Sequence, residues 1–249
     1  MSILIFANLV VGASIGVSGI GGFFLPIVYS SILGIGVRDS LLLSFSAFLV
    51  SGFVGTFQYA RLGYIRKHLV VWLAAGCLLG AVIGVKINYL LPTSFVKGLL
   101  YFVVLAAGIS LLMKMEERNS ANYILESKFF IFGLSLFTAI LCSMSGAGGA
   151  LILVPVLVAL GEKTKYAVGM GILGSVFISI PSSIGYFAQS TLEDGLLLLV
   201  VSLAFHGLGV FLGSNMVEKI DQTLLRKSIA YLSIFSSLFL FVQLFSKFT

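Results

Sequence analysis

The chain has 249 residues, of which 59% are hydrophobic and only 10% charged, with a mean hydropathy of +1.15. A soluble domain is nearer a quarter charged, so a water-soluble fold is excluded and lipid solvates most of this chain. The net charge of +6 does not point to a nucleic-acid partner, because the basic residues sit in short segments between apolar stretches and form no stripe interleaved with exposed aromatics.

The first apolar segment, Ile3 to Leu33, exceeds the roughly 20 residues that one span requires. It is interrupted by "GVSGIGGFFLP" at Gly16–Pro26. Its start resembles a signal-peptide core without positive residues, so it reads as a retained membrane segment. Three ordinary spans follow at Leu41–Tyr59, Leu69–Val85 and Gly98–Met113. The polar, mixed-charge stretch Lys114–Lys128 reads as a linker. Then the pattern restarts. Phe129 to Leu160 is again too long for one span and carries "MSGAGGALILVP" at Met144–Pro155, and spans at Tyr166–Phe187, Leu196–Val217 and Ser228–Leu244 complete the chain.

Laying Gly19–Gly22 on Gly146–Gly149 places Tyr59 on Tyr186. After a small drift in register, Gly80 and Gly84 fall on Gly209 and Gly213, and Pro92–Lys97 on Asp221–Arg226. The chain therefore reads as a duplication: a first membrane repeat over residues 1–114, a linker over 115–127 and a second repeat over 128–249. Such repeats mark transporters. The expected fold is an all-α integral membrane protein of two inverted four-segment repeats. Each repeat is a re-entrant or broken helix hairpin plus three transmembrane helices. Charge placement separates re-entrant from crossing. If both long segments crossed once, Lys and Arg would divide almost evenly between the two faces. If both are hairpins, Arg38, Lys86, Lys97 and Lys247 share one face and the other eleven of the 15 share the opposite one. The hairpin topology is favoured. It puts both termini outside and the linker in the cytoplasm of a multi-pass protein of the cell (inner or plasma) membrane.

In a hairpin, Ile3–Val17 and Phe23–Leu33 are half-helices of about 22 and 16 Å, with tips at Ser18–Gly22 and Ser145–Gly149. Tip amides lose helical partners, which lipid tolerates only where a polar cavity or another tip is met. Glycine permits positive φ and close approach, and a half-helix N-terminus favours an anion. The expected substrate-binding residues are Ser18, Gly19, Gly21, Gly22, Ser145, Gly146, Gly148 and Gly149, with the hydroxyls of Ser14 and Ser143. The spacings Gly76-x-x-x-Gly80-x-x-x-Gly84 and Gly209-x-x-x-Gly213 read instead as helix packing.

Gly-x-Gly-Gly followed by Pro26, and again by Pro155, in an eight-segment duplication resembles the sulfite exporter TauE/SafE family of membrane permeases. The resemblance implies export or uptake of sulfur-containing and organic anions such as sulfite, sulfoacetate and thiosulfate. Two departures stand out: Phe23 and Ala150 replace a third glycine, and the glycine-to-proline spacing is shorter in the first tip, which leaves the two tips inequivalent.

Gln58 and Gln189, near the ends of matched spans, are further candidates for substrate contact. Tyr59 and Tyr186 fit an interfacial role as well as any other. Ser44, Ser46, Ser175 and Ser179 are equally suited to lining a cavity or packing helices. His206, deep in its span, and Lys86, toward the end of its own, are coupling or gating candidates. No Asp or Glu lies deep in a span, which disfavours carboxylate-based coupling and favours an anionic substrate. Proton or sodium coupling stays open, as does a homodimer. Cys77 and Cys142 read as small core residues. No cofactor, metal site or enzymatic constellation is expected. The leading function is a secondary transporter of small anions, which the resemblance narrows to sulfur oxyanions or organosulfonates, working by alternating access around the two glycine-rich tips; an anion channel of the same architecture is the alternative.

Overall fold

The computed structural model describes residues 1–112, 123–190, 195–219 and 221–245. Among these, every regular element is helical. The order is α1 (Ser2–Ser18), α2 (Phe24–Ile27) running into a π-helical turn (Val28–Ile32), α3 (Val37–Arg61), α4 (Val70–Leu90) and α5 (Thr93–Leu112). There follow α6 (Tyr123–Glu126), α7 (Lys128–Ser145), α8 (Ala150–Ala159), α9 (Thr164–Phe187), α10 (Gly195–Ser214) and α11 (Gln222–Phe245). Most of the linker expected at 115–127 lies outside the described residues, as does Lys247. Five helical stretches, including Val37–Arg61 and Thr164–Phe187, are long and apolar enough to cross a membrane. Helices α5 and α11, of 20 and 24 residues, have the length as well. Large apolar side chains such as Phe6, Val71, Phe129, Phe187 and Phe235 face outward. That surface suits lipid and would be an aggregation hazard in water.

Two seams show why small residues recur. A Cβ on Gly76, Gly80 or Gly84 of α4 would strike the backbone of α7 at Phe132, Leu136 or Ile140. One on Gly209 or Gly213 of α10 would strike α1 at Leu9 or Ala13. Without those atoms the backbones touch, and dispersion holds the pairs together. The other main pairings are α3 with α9, α5 with α11, α3 with α10 and α4 with α9. Exchanging the two halves turns α4–α7 into α10–α1 and α3–α10 into α9–α4, and leaves the other two unchanged.

The ends of the second long segment are tied to one residue. Arg66, in the turn between α3 and α4, bonds Glu126, just before α7, and Glu162, just after α8, with an Nε to Oε2 separation of 2.7 Å for the latter. The segment α7–α8 thus leaves at the same end of the bundle at which it begins. Trp72 on Phe129 and Lys165 on Glu218 (3.3 Å) lie at this end too. At the other end Ser190 donates to Asp39 (2.7 Å) and Arg38 lies over Tyr89. The first hairpin has its arms side by side: the Tyr29 hydroxyl, on the return arm, donates to Asn8 Oδ1 of α1 at 2.9 Å.

Partial burial would lower the Arg66 pKa, but Glu162 and then Glu126 outweigh it and hold it up. Glu126 is held below the ordinary carboxylate value, first by the His68 hydrogen bond and then by Arg66. Its contribution is therefore complete above the unfolded value and is lost as pH falls through the lower folded one. Arg66→Gln leaves the buried Glu162 carboxylate without its charge partner, and is expected to cost about 1–3 kcal/mol. Thermal unfolding in detergent measures it; an unchanged midpoint would show that the clamp contributes nothing.

Candidate functional site

Each Gly-x-Gly-Gly run breaks its helix in the same way. Helix α1 ends at Gly19 (φ 73°), whose amide donates to Ile15 O at 2.7 Å. Helix α7 ends at Gly146 (φ 77°), whose amide donates to Cys142 O at 2.9 Å. The next glycine of each run is again left-handed, Gly21 at φ 124° and Gly148 at φ 74°. Only glycine takes these angles freely. The third glycine is needed for space. A Cβ on Gly22 would lie 2.8 Å from the Phe48 ring, and one on Gly149 would lie 3.1 Å from the Ser175 amide.

The two tips meet. The Gly22 Cβ position is 3.5 Å from Ala147 O, that of Gly146 is 3.3 Å from Pro26 Cγ, and that of Gly19 is 3.4 Å from Ala150 Cβ. Both tips are buried. One residue of α3 lies against both: the Cε1 edge of Phe48 faces Gly22, and its Cε2 edge comes within 3.5 Å of the Gly148 Cβ position.

The tips differ in one bond. In the second, the Ala150 amide at the head of α8 donates to Ser175 Oγ at 3.2 Å. The register that pairs the tips puts Phe48 where Ser175 stands and Phe23 where Ala150 stands. Phe48 offers no acceptor. Among the described residues the amides of Gly21, Gly22 and Phe23 have none in the first tip, nor do those of Gly148 and Gly149 in the second. Buried amides are almost always paired, so these five stand out as unpaired donors at the two tips.

The expected serines are present but committed. Ser14 and Ser18 donate to Ile20 O at 2.9 and 3.0 Å, and Ser143 and Ser145 donate back into α7. Ser14, Ser18 and Gly21 line a small cavity with Phe23, Phe24 and Ser233, with room for about one water molecule. On α9, the buried Ser179 and Ser182 hydroxyls have no partner. Other candidates stand apart. Gln58 donates to Asn215 Oδ1 at 3.1 Å in an open cleft of about 400 Å³ with Arg61 and Glu218, at the Arg66 end. Gln189 and Lys86 are exposed toward the opposite end. His206 is fully buried on α10, its ring centroid 6.3 Å from that of Phe48.

Residue type and register did not reveal two supports. The Tyr59 hydroxyl donates to Gly16 O and Val17 O (3.2 and 3.1 Å), and that of Tyr186 to Ser143 O (2.8 Å). Both tyrosines are fully buried. They are hairpin anchors and not interfacial residues, and the repeat register that pairs them also pairs Gly16 with Ser143. Tyr186→Phe should lower stability by about 1 kcal/mol. Tyr59→Phe should add its own similar loss independently, which unfolding of both single variants and the double one checks. Phe48 gave no signal, being one apolar residue among many.

A family model described as Sulfite exporter TauE/SafE matches residues 3–240. No curated protein and no solved structure matches the chain.

Proposed function

Because the chain belongs to the sulfite exporter TauE/SafE family, we propose that it is a secondary transporter that carries a small oxyanion or organosulfonate between the two hairpin tips. A multi-pass membrane protein of this family has no need of enzymatic groups at the tips, only of a place where a negative charge is stabilised. The observation that carries the reading is the set of unpaired amides at the touching tips, Gly21, Gly22 and Phe23 on one and Gly148 and Gly149 on the other, with Phe48 against both. Amides fixed in left-handed turns form concave anion sites. In a low-dielectric surrounding their dipoles act more strongly than in water.

In this reading Ser18, Ser145 and the partnerless Ser179 and Ser182 supply secondary donors. The halves are inverted in the membrane, with both termini outside and the linker cytoplasmic. The buried tips represent an occluded state in which Phe48 fills the position of the anion. Movement of one half against the other withdraws Phe48 and opens the seam to one face at a time. The cleft at Gln58 and Asn215 belongs to the approach from the cytoplasmic end.

The test is uptake into proteoliposomes with sulfite, thiosulfate, sulfoacetate and simple carboxylates. Saturable exchange accelerated by substrate on the far side is expected for the sulfur anions. Flux without such trans-stimulation would make the protein an anion channel, and preference for carboxylates would move the substrate class.

A further inference from the structure

A second buried polar cluster lies beside the tips, and the anion site does not use it. It consists of Asn8 on α1, Tyr29 in the π-helical turn, and Ser202 and His206 one turn apart on α10. All four are essentially inaccessible to solvent. Asn8 Nδ2 donates to Leu4 O at 2.8 Å, and its Oδ1 accepts from Tyr29 at 2.9 Å. Ser202 lies beside the Tyr29 hydroxyl, yet Ser202 Oγ and both ring nitrogens of His206 lack a well-formed hydrogen bond. The Asn8 backbone faces the ring.

Burying an imidazole without a well-formed hydrogen bond is costly, and the other half of the chain avoids it. Where the repeat places Ser202 and His206 it has Leu73 and Cys77, and where it places Tyr29 it has Val156. Its counterpart of Asn8 is Ser135, whose hydroxyl is spent inside α7. The cluster is therefore a feature of one half only, and packing does not require it.

Its position links it to transport. His206 sits where α10 touches α1, since a Cβ on Gly12 would meet its backbone. The ring also approaches Phe48, which lies against both tips. Among the described residues shown beside it, α1 offers the backbones of Asn8 and Gly12 and α3 offers Phe48, with Ser202 one turn earlier on α10; none is charged. The one other titratable group of the cluster, Tyr29, is committed to Asn8.

We propose that His206 is a proton-carrying site, loaded and unloaded in step with the anion held at the tips, so that proton and anion cross together. This rests on the transport reading above. When the α1–α10 seam opens to water, a hydronium ion gives its proton to the free lone pair of the ring and leaves as water. The reverse occurs on the far side, and no other bond changes. The Asn8 backbone, which faces the ring, offers a carbonyl acceptor for one N–H of the charged imidazole. The added positive charge offsets that of the anion beyond Phe48.

The test uses the full chain in proteoliposomes with a pH dye inside, and thiosulfate and sulfoacetate as probes. Both are fully ionised near neutral pH, so an incoming proton has to ride on the protein. Wild type is expected to acidify the lumen as either anion enters. His206→Gln and His206→Cys, the latter installing the residue of the other half, are expected to retain exchange of labelled anion and lose the acidification. Anion uptake without acidification in wild type, or acidification unchanged in both variants, overturns the proposal and leaves the transport reading standing. Sodium-driven uptake with no proton movement does the same. Absence of any anion flux in wild type overturns the transport reading and this proposal with it.

Discussion

Gly148→Leu is expected to cut anion transport about 100-fold or more while the protein still folds and inserts. The residue sits at φ 74°, and its Cβ position is an ordinary 3.5 Å from the Phe48 ring. There is room for one carbon and none for an isobutyl group that also leaves space for a ligand. The left-handed backbone costs a larger residue about 1–2 kcal/mol, which a folded domain with about 5–15 kcal/mol of stability survives. Filling the seam removes two or more charge-assisted amide contacts to the anion, each worth about 1.5–3 kcal/mol. Gly34 and Gly63 supply the control. Both have positive φ, 70° and 80°, and neither has an atom within 4 Å of its Cβ position. Leucine there imposes the same backbone strain away from the tips and should leave transport intact. Flux assayed on all three variants separates strain from site; loss in the controls as well, or full transport by Gly148→Leu, would refute the assignment.

Gly80→Leu is expected to fail differently, in assembly. Its Cβ would fall on the carbonyl oxygen of Leu136 and 2.8 Å from Ala139 Cβ. A backbone oxygen does not rotate away, so α4 and α7 have to separate along the seam that holds the second hairpin. Overpacking of a core costs about 1–3 kcal/mol, and a clash with backbone lies at or beyond the upper end. Lost dispersion along the parted helices adds to this. The variant should show a lower unfolding midpoint together with reduced folded yield. Gly133, on the outer face of α7 with nothing within 4 Å, should accept leucine without loss. A stable, well-packed Gly80→Leu protein would show that the seam does not need its glycines.

The helix breaks at the glycine runs and the helical class were legible because each follows from a local rule. Gly19 and Gly146 end helices for a reason internal to their own backbones, and the apolar stretches announce lipid by composition. Gly76, Gly80 and Gly84 were legible as packing residues because small-residue spacing has one common use in membranes. What escaped depended on which side chain arrives from elsewhere. Nothing about Phe48 distinguishes it from the other 21 phenylalanines of the 22 in the chain until α3 is laid against the tips. Tyr59 and Tyr186 were paired by register, but their burial and their hydrogen bonds to the hairpin carbonyls needed the third dimension. The hydroxyls of Ser143 and Ser145 were expected to face a ligand; each instead satisfies a carbonyl of its own helix, as serine in a membrane helix commonly does. Gln58 and Gln189 lie near the ends of matched spans in sequence and are carried to opposite ends of the bundle by the antiparallel run of α3 and α9.

The account stands on an anion seated between the tips, and a structure determined with saturating sulfite or thiosulfate addresses that most directly. Density for the anion within hydrogen-bond distance of the Gly21, Gly22 and Gly148 amides, with the Phe48 ring displaced, is the predicted result. Tips still closed on Phe48, with the anion bound only at the Gln58 cleft or nowhere, would contradict it.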